Sequence, residues 1–231
     1  MPAGIPAARR LPCWNSTTTA VCAYSPDDFY KWTAAFLEKL DIRRAAVVGI
    51  SIGGTISLML AAHQNPRVTK VISANPYDYW PAGGVRKSSL TARLVLTFSD
   101  VPVLGATIMR LRNRFVSDRI FEGGLSSPCA LPEELAEEFY QIGARLGHYQ
   151  AFLSLLAHER LWPDARKDYR SIEVPVLLVY GEEDWAPRRE RARTGLLIPG
   201  VVTETVPNGS HFLSLDRSRE LCELIIRFVG S

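Results

Sequence analysis

No stretch of this 231-residue chain is apolar for long enough to cross a membrane, which would take about 20 consecutive apolar residues. None of its four cysteines, Cys13, Cys22, Cys129 and Cys222, forms a CxxC pair. That spacing argues against zinc ligation and leaves free thiols in a reducing compartment as the simple reading. Arg9 and Arg10 are followed by no apolar segment, so no signal peptide is expected and a cytoplasmic location is. Charge is nearly balanced, 27 basic against 24 acidic residues, and no long block of one sign occurs. The densest basic patch, Arg188-Arg189-Glu190-Arg191-Ala192-Arg193, is interrupted by Glu190 and has no aromatic ladder. It reads as a solvated helix face rather than a phosphate track, so no nucleic-acid partner is expected. The sequons Asn15-Ser16-Thr17 and Asn208-Gly209-Ser210 read as chance. Internal repeats and low-complexity tracts are missing too.

What remains is ordinary globular composition, 47% hydrophobic and 22% charged, long enough for one large domain or two small ones. Residues 1–24 are broken by Pro2, Pro6 and Pro12. Ser25-Pro26-Asp27-Asp28 then reads as a helix start: a capping serine, proline in the first turn and early acids. Phe29, Trp32, Phe36 and Leu40 recur at helical spacing. Ala45–Gly49 is short and wholly apolar, the pattern of a buried parallel strand. Past it, Ile56, Met59, Leu60 and His63 mark one packed helix face that stops before Asn65-Pro66. Val68–Ala74 is the next strand, completing a βαβ unit.

From about Tyr77 to Asp168 the strand pattern lapses. Helices are expected near Leu90–Phe98, Val103–Phe115, Pro132–Arg145 and Tyr149–Arg160. Strand character returns at Val174–Tyr180. A helix at Arg188–Leu197, a strand at Val201–Val206 and a helix at Ser218–Phe228 close the chain. The sequence therefore predicts a parallel α/β sheet interrupted by a helical insertion.

Gly49-Ile50-Ser51-Ile52-Gly53 is G-x-S-x-G between an expected strand and an expected helix, the context a nucleophile elbow requires. Such a turn strains the serine, and side chains two residues either side would collide, so glycine is expected at both. The hydroxyl then projects beside a helix N-terminus, where the Ile52 N–H is the natural oxyanion donor. A glycine-rich phosphate cradle is the competing reading. Ser51 breaks the dinucleotide-binding pattern, however, and the lysine of a P-loop is missing. A serine nucleophile needs a base, and the chain has four histidines. His63 belongs to a packed helix face, and His148 and His158 to the insertion. His211, in Pro207-Asn208-Gly209-Ser210-His211-Phe212, follows the last strand at the sheet edge that carries Ser51. The acid that orients it should follow a neighbouring strand. Asp184, in Gly181-Glu182-Glu183-Asp184-Trp185-Ala186-Pro187, is the candidate, with Glu182 and Glu183 as solvated neighbours and Asp78 as a substitute.

On these three motifs, in this order, the chain resembles the α/β-hydrolase superfamily, in the capped branch that includes esterases and epoxide hydrolases. The resemblance covers about residues 25–79 and 170–229. It implies an incomplete α/β-hydrolase parallel sheet with a helical cap inserted: core at 1–79, cap at 80–168, core again at 169–231. It implies a triad of Ser51, Asp184 and His211, no cofactor and no metal. Many relatives carry His at the position of Ile50. The family's sheet also has several strands before the nucleophile strand, one followed by a His-Gly loop that supplies a second oxyanion donor. Only 48 residues precede Gly49 and none forms His-Gly. Thr17–Ala23 has the character of one strand. An N-terminally shortened member is thus expected, with an exposed edge at Ala45–Gly49 and one oxyanion donor fewer, a loss worth about 3–4 kcal/mol.

The insertion is rich in large apolar residues, among them Trp80, Leu94, Phe121, Phe152, Leu155 and Trp162, and some should line a pocket facing Ser51. The expected function is hydrolysis of a small, partly apolar carboxylic ester through an acyl-enzyme. Thioester, C–C bond and cofactor-free perhydrolysis chemistry are alternatives on the same fold. A catalytically impaired remnant that binds a ligand is the alternative of a different class.

Overall fold

The computed structural model describes residues 23–80, 121–126, 131–145 and 147–230, together with Gly84, Leu90, Arg93, Leu94, Thr97, Arg114 and Asp118. Helix α1 spans Pro26–Lys39 and opens with a full capping box. Ser25 Oγ accepts from Asp28 N, and Asp28 Oδ2 accepts from Ser25 N. Strand β1 (Ala45–Ile50), helix α2 (Ile52–Ala62) and strand β2 (Val68–Ala74) follow. The insertion contributes α3 (Glu133–Gly143) and α4 (His148–Ala157), then a 3₁₀ helix over Glu159–Ser171. Strand β3 (Val176–Gly181), helix α5 (Arg188–Leu197), strand β4 (Val202–Val206), the single turn α6 (Leu213–Asp216) and helix α7 (Ser218–Gly230) complete the order.

Two expected elements have different boundaries. The strand expected from Val174 begins at Val176, because Pro175 has no N–H and takes part only through its carbonyl, which accepts from Val71 N. The helix expected over Tyr149–Arg160 ends at Ala157 and gives way to 3₁₀ turns that contain Pro163. The expected helices near Leu90–Phe98 and Val103–Phe115 fall mostly outside the described residues, as does the strand character at Thr17–Ala23. Among the described residues no helix is long and apolar enough to cross a membrane.

The described sheet has four parallel strands in the order β1-β2-β3-β4. Alternation along its central strands divides the core in two. Val71, Val176, Leu178 and Tyr180 face a layer made by α2, α1 and the 3₁₀ helix. Ile72, Ala74, Leu177 and Val179 face the layer made by α7 and Leu213. Helix α2 carries more apolar surface than one packed face. Every residue from Gly54 to Ala62 is buried, because the helix is covered by the sheet, α1 and the 3₁₀ helix at once. His63, expected on that packed face, is instead exposed at its C-terminus, against the Tyr30 ring. At the sheet's β1 edge Val48 remains 44% exposed.

Candidate active site

Three strands end at one rim, and each delivers one polar side chain to it. After β1, Ser51 takes φ 56° and ψ −122°, a region costly for a residue with a Cβ. Its backbone is held on both sides: Ser51 N donates to Ala74 O, and Ser51 O accepts from Thr55 N and Tyr77 N. Two glycines make the turn possible, but they are not the expected pair. A Cβ at Gly49 would collide with the Gly53 carbonyl, whereas a Cβ at Gly53 would meet nothing within 4 Å. The second close approach is at Gly54, where a Cβ would sit 2.8 Å from Ser73 Oγ. Helix α2 must press against β2, so the residue that touches β2 is the one that needs to be small. Ile52 opens α2, where a backbone N–H has no acceptor inside the helix.

After β4, His211 is buried, with Nε2 2.9 Å from Ser51 Oγ and Nδ1 2.6 Å from Asp184 Oδ1. Asp184 follows β3, and its second oxygen accepts from Ala186 N at 3.1 Å. The other acids and histidines named as candidates lie elsewhere. Asp78 is buried against Arg166, at 2.9 Å, and Thr194, at 2.9 Å. Burial pushes its carboxyl above the usual carboxylate range, against the pull of the Arg166 charge. Glu182 accepts from Asn208 N, and Glu183 is exposed. His158 is bound to Ser154 O, and neither it nor His148 lines the cavity at Ser51.

Several contributors escaped sequence reasoning. Asn75, buried and at φ 44°, accepts from Gly181 N and donates to the carbonyls of Ser210 and His211, each at 2.9 Å. One amide thus ties the ends of β2 and β3 to the histidine loop. The available signal was an Asn, a residue that tolerates positive φ, directly after a strand and before Pro76. The basic patch of α5 is not simply a solvated face. Arg191 turns inward to donate to the carbonyls of Gly181, Ala186 and Asp184, bracing the acid loop, and Glu190 pairs with Arg166.

Beside Ser51 lies an apolar cavity of about 260 Å³. Phe121, Phe152, Leu155 and Trp162 from the insertion line it, as does Glu159, the one acidic side chain among the described lining residues. Trp185 and Phe212, flanking the acid and the histidine, complete one wall. A larger cavity of about 410 Å³, lined by His63, Asp27, Asp164 and Asp168, does not include the serine. Among the described residues no group of three or more His, Cys, Asp or Glu is arranged to hold a metal ion.

Known proteins share this architecture. The profile of the alpha/beta hydrolase family matches residues 10–224. The carboxylesterase YbfK of Bacillus subtilis is 24% identical over 220 residues, which span 93% of this chain and 67% of that protein. A 2-hydroxy-6-oxo-2,4-heptadienoate hydrolase of Pseudomonas putida is 25% identical over 214 residues, 90% of this chain and 71% of the relative. Among solved structures, a meta-cleavage product hydrolase from Pseudomonas fluorescens superimposes with a TM-score of 0.73 at 16% identity, covering 96% of this chain and 74% of that one. With a family match over nearly its whole length, and a four-stranded parallel sheet carrying a strained serine at the β1–α2 turn, the chain belongs to the alpha/beta hydrolase family.

Proposed function

We propose that the protein is a serine hydrolase of small, partly apolar carboxylic esters, with Ser51 as nucleophile, His211 as general base and then acid, and Asp184 as the group that orients the imidazole. The observation that carries this reading is the unbroken series of hydrogen bonds from Ser51 Oγ through His211 to Asp184, 2.9 and 2.6 Å long. Ser51 Oγ attacks the acyl carbon as its proton passes to His211 Nε2. The negative charge that develops on the acyl oxygen is met by the Ile52 N–H at the start of α2. Collapse breaks the C–O bond, and His211 returns the proton to the departing alkoxide. Water then repeats the sequence on the acyl-enzyme and releases the acid. Asp184 holds the Nδ1–H tautomer and stabilises the imidazolium without itself taking the proton.

The apolar lining supports an uncharged acyl group, and a volume of about 260 Å³ supports a small one, since sites for drug-sized ligands run from about 300 to 1,000 Å³. In this reading residues 80–168 act as a cap over the serine. A second reading, C–C hydrolysis, is favoured by the relatives named as hydrolases of 2-hydroxy-6-oxo acids. The test compares p-nitrophenyl acetate with a 2-hydroxy-6-oxo dienoate on the wild type and on Ser51→Ala. Ester turnover that falls by about 10,000-fold or more in the variant, together with loss of fluorophosphonate labelling, supports the ester reading. Faster turnover of the dienoate transfers the proposal to C–C chemistry. Equal labelling of both proteins refutes Ser51 as nucleophile.

A further inference from the structure

The imidazole of His211 is held at both nitrogens, but two hydrogen bonds along one axis leave a ring free to rock about that axis. A third restraint acts on its face. Trp185, the residue after Asp184, stacks on His211 with ring centroids 3.8 Å apart and planes 10° from parallel. The indole is itself tethered, because Trp185 Nε1 donates to Gly123 O at 3.0 Å. The next bond in the same direction joins Phe212 N to Gly124 O, also at 3.0 Å. Asp216 Oδ2 then accepts from Ser126 N and from Ser210 N, at 3.0 and 3.2 Å. The insertion segment 121–126 is therefore fastened to the histidine loop on both sides of His211. The fit leaves no slack: a Cβ at Gly124 would enter the Phe212 ring and lie 2.9 Å from Trp185 Cζ2.

We infer that Trp185 is a positioning residue for His211, and that its tether to Gly123 makes alignment of the base depend on the seating of the insertion. This rests on the reading of His211 as the base. The indole does two things. Its flat contact fixes the imidazole plane, so that Nε2 stays aimed at Ser51 while Nδ1 stays aimed at Asp184. Its electron-rich face also attracts the imidazolium that forms as Ser51 gives up its proton. Both effects act on the chemical step, so they belong in kcat more than in KM.

Three variants test the inference. Trp185→Leu removes the aromatic face. Trp185→Phe keeps an aromatic face and removes the bond to Gly123. Gly124→Ala disturbs the tether without touching Ser51, His211 or Asp184. Each is measured for kcat and KM on p-nitrophenyl acetate, for the rate of fluorophosphonate labelling, and for the proton resonance of the His211 ring, which a stacked indole shifts upfield. Circular dichroism and thermal midpoint establish that each is folded. We expect Trp185→Leu to lose about 30-fold in kcat and in labelling rate, with KM within about threefold. Trp185→Phe, which keeps a ring face but loses the tether, should recover only part of that loss, and Gly124→Ala should fall between the phenylalanine variant and the wild type. The upfield shift should vanish in the leucine variant. Equal kcat in the folded leucine and phenylalanine variants, or a loss confined to KM, overturns the inference. Labelling that survives Ser51→Ala overturns the underlying catalytic reading instead, so the two failures are distinguishable.

Discussion

Two aspartates leave neighbouring strands at the same rim, and their fates differ. Asp78 follows β2 and Asp184 follows β3, and both are buried. Asp184 faces an imidazole and one backbone N–H. Asp78 faces the Arg166 guanidinium and the Thr194 hydroxyl. A carboxylate opposite a permanent cation forms a closed ion pair, whose effect is to hold the 3₁₀ helix and α5 to the sheet. In the proposed mechanism, a carboxylate opposite an imidazole keeps its charge available for the moment when that ring takes the serine proton. If the proposed mechanism holds, burial and strand position do not separate a structural acid from a chemical one; the partner does.

The largest expected effect breaks the comparison at its chemical end. Asp184→Asn should lower kcat on p-nitrophenyl acetate by about 10,000-fold, because the amide favours the wrong imidazole tautomer, while the thermal midpoint stays close to that of the wild type. A fall below tenfold would place the orienting acid elsewhere. The structural end is tested by Arg166→Met, which strands Asp78 without its cation. Removal of one member of a buried pair costs about 3–5 kcal/mol, to be read from urea denaturation. Adding Asp78→Asn to that variant should restore part of the loss, since the unpaired charge goes with it. If the double variant is no more stable than the single, the pair is not what joins the 3₁₀ helix to the sheet. The smallest effect lies between the two ends. Arg191→Gln removes charged donors from the carbonyls of the acid loop and should cost about 2 kcal/mol in stability, with a modest fall in kcat. An unchanged stability would show that the loop holds its shape without this brace.

Much of the fold was legible because its signals are local. The helix start at Ser25, the strand Val68–Ala74 and the helix Arg188–Leu197 depend on neighbours a few residues away, and each lies where the spacing puts it. Proline moved the strand boundary at Pro175 through the same local chemistry. The site was legible at the level of which residues could meet, since Ser51, Asp184 and His211 each follow a strand of one parallel sheet. Other features were illegible because their causes are distant in sequence. Asn75 reaches across 135 residues to Ser210. Arg191 turns inward only because the acid loop offers it a set of carbonyls. Gly54 rather than Gly53 is the tight glycine because β2 lies against it.

By itself, then, the sequence determined the alternation of strands and helices, the strained turn at Ser51 and the order in which Ser51, Asp184 and His211 leave the sheet. Each of these follows from backbone sterics and side-chain periodicity, which act over a few residues. Tertiary structure alone decided which carboxylate meets His211, which pairs with Arg166, and that an indole from the acid loop lies flat on the imidazole. Those outcomes depend on distances of a few ångströms between segments far apart in the chain, and no local rule carries that information.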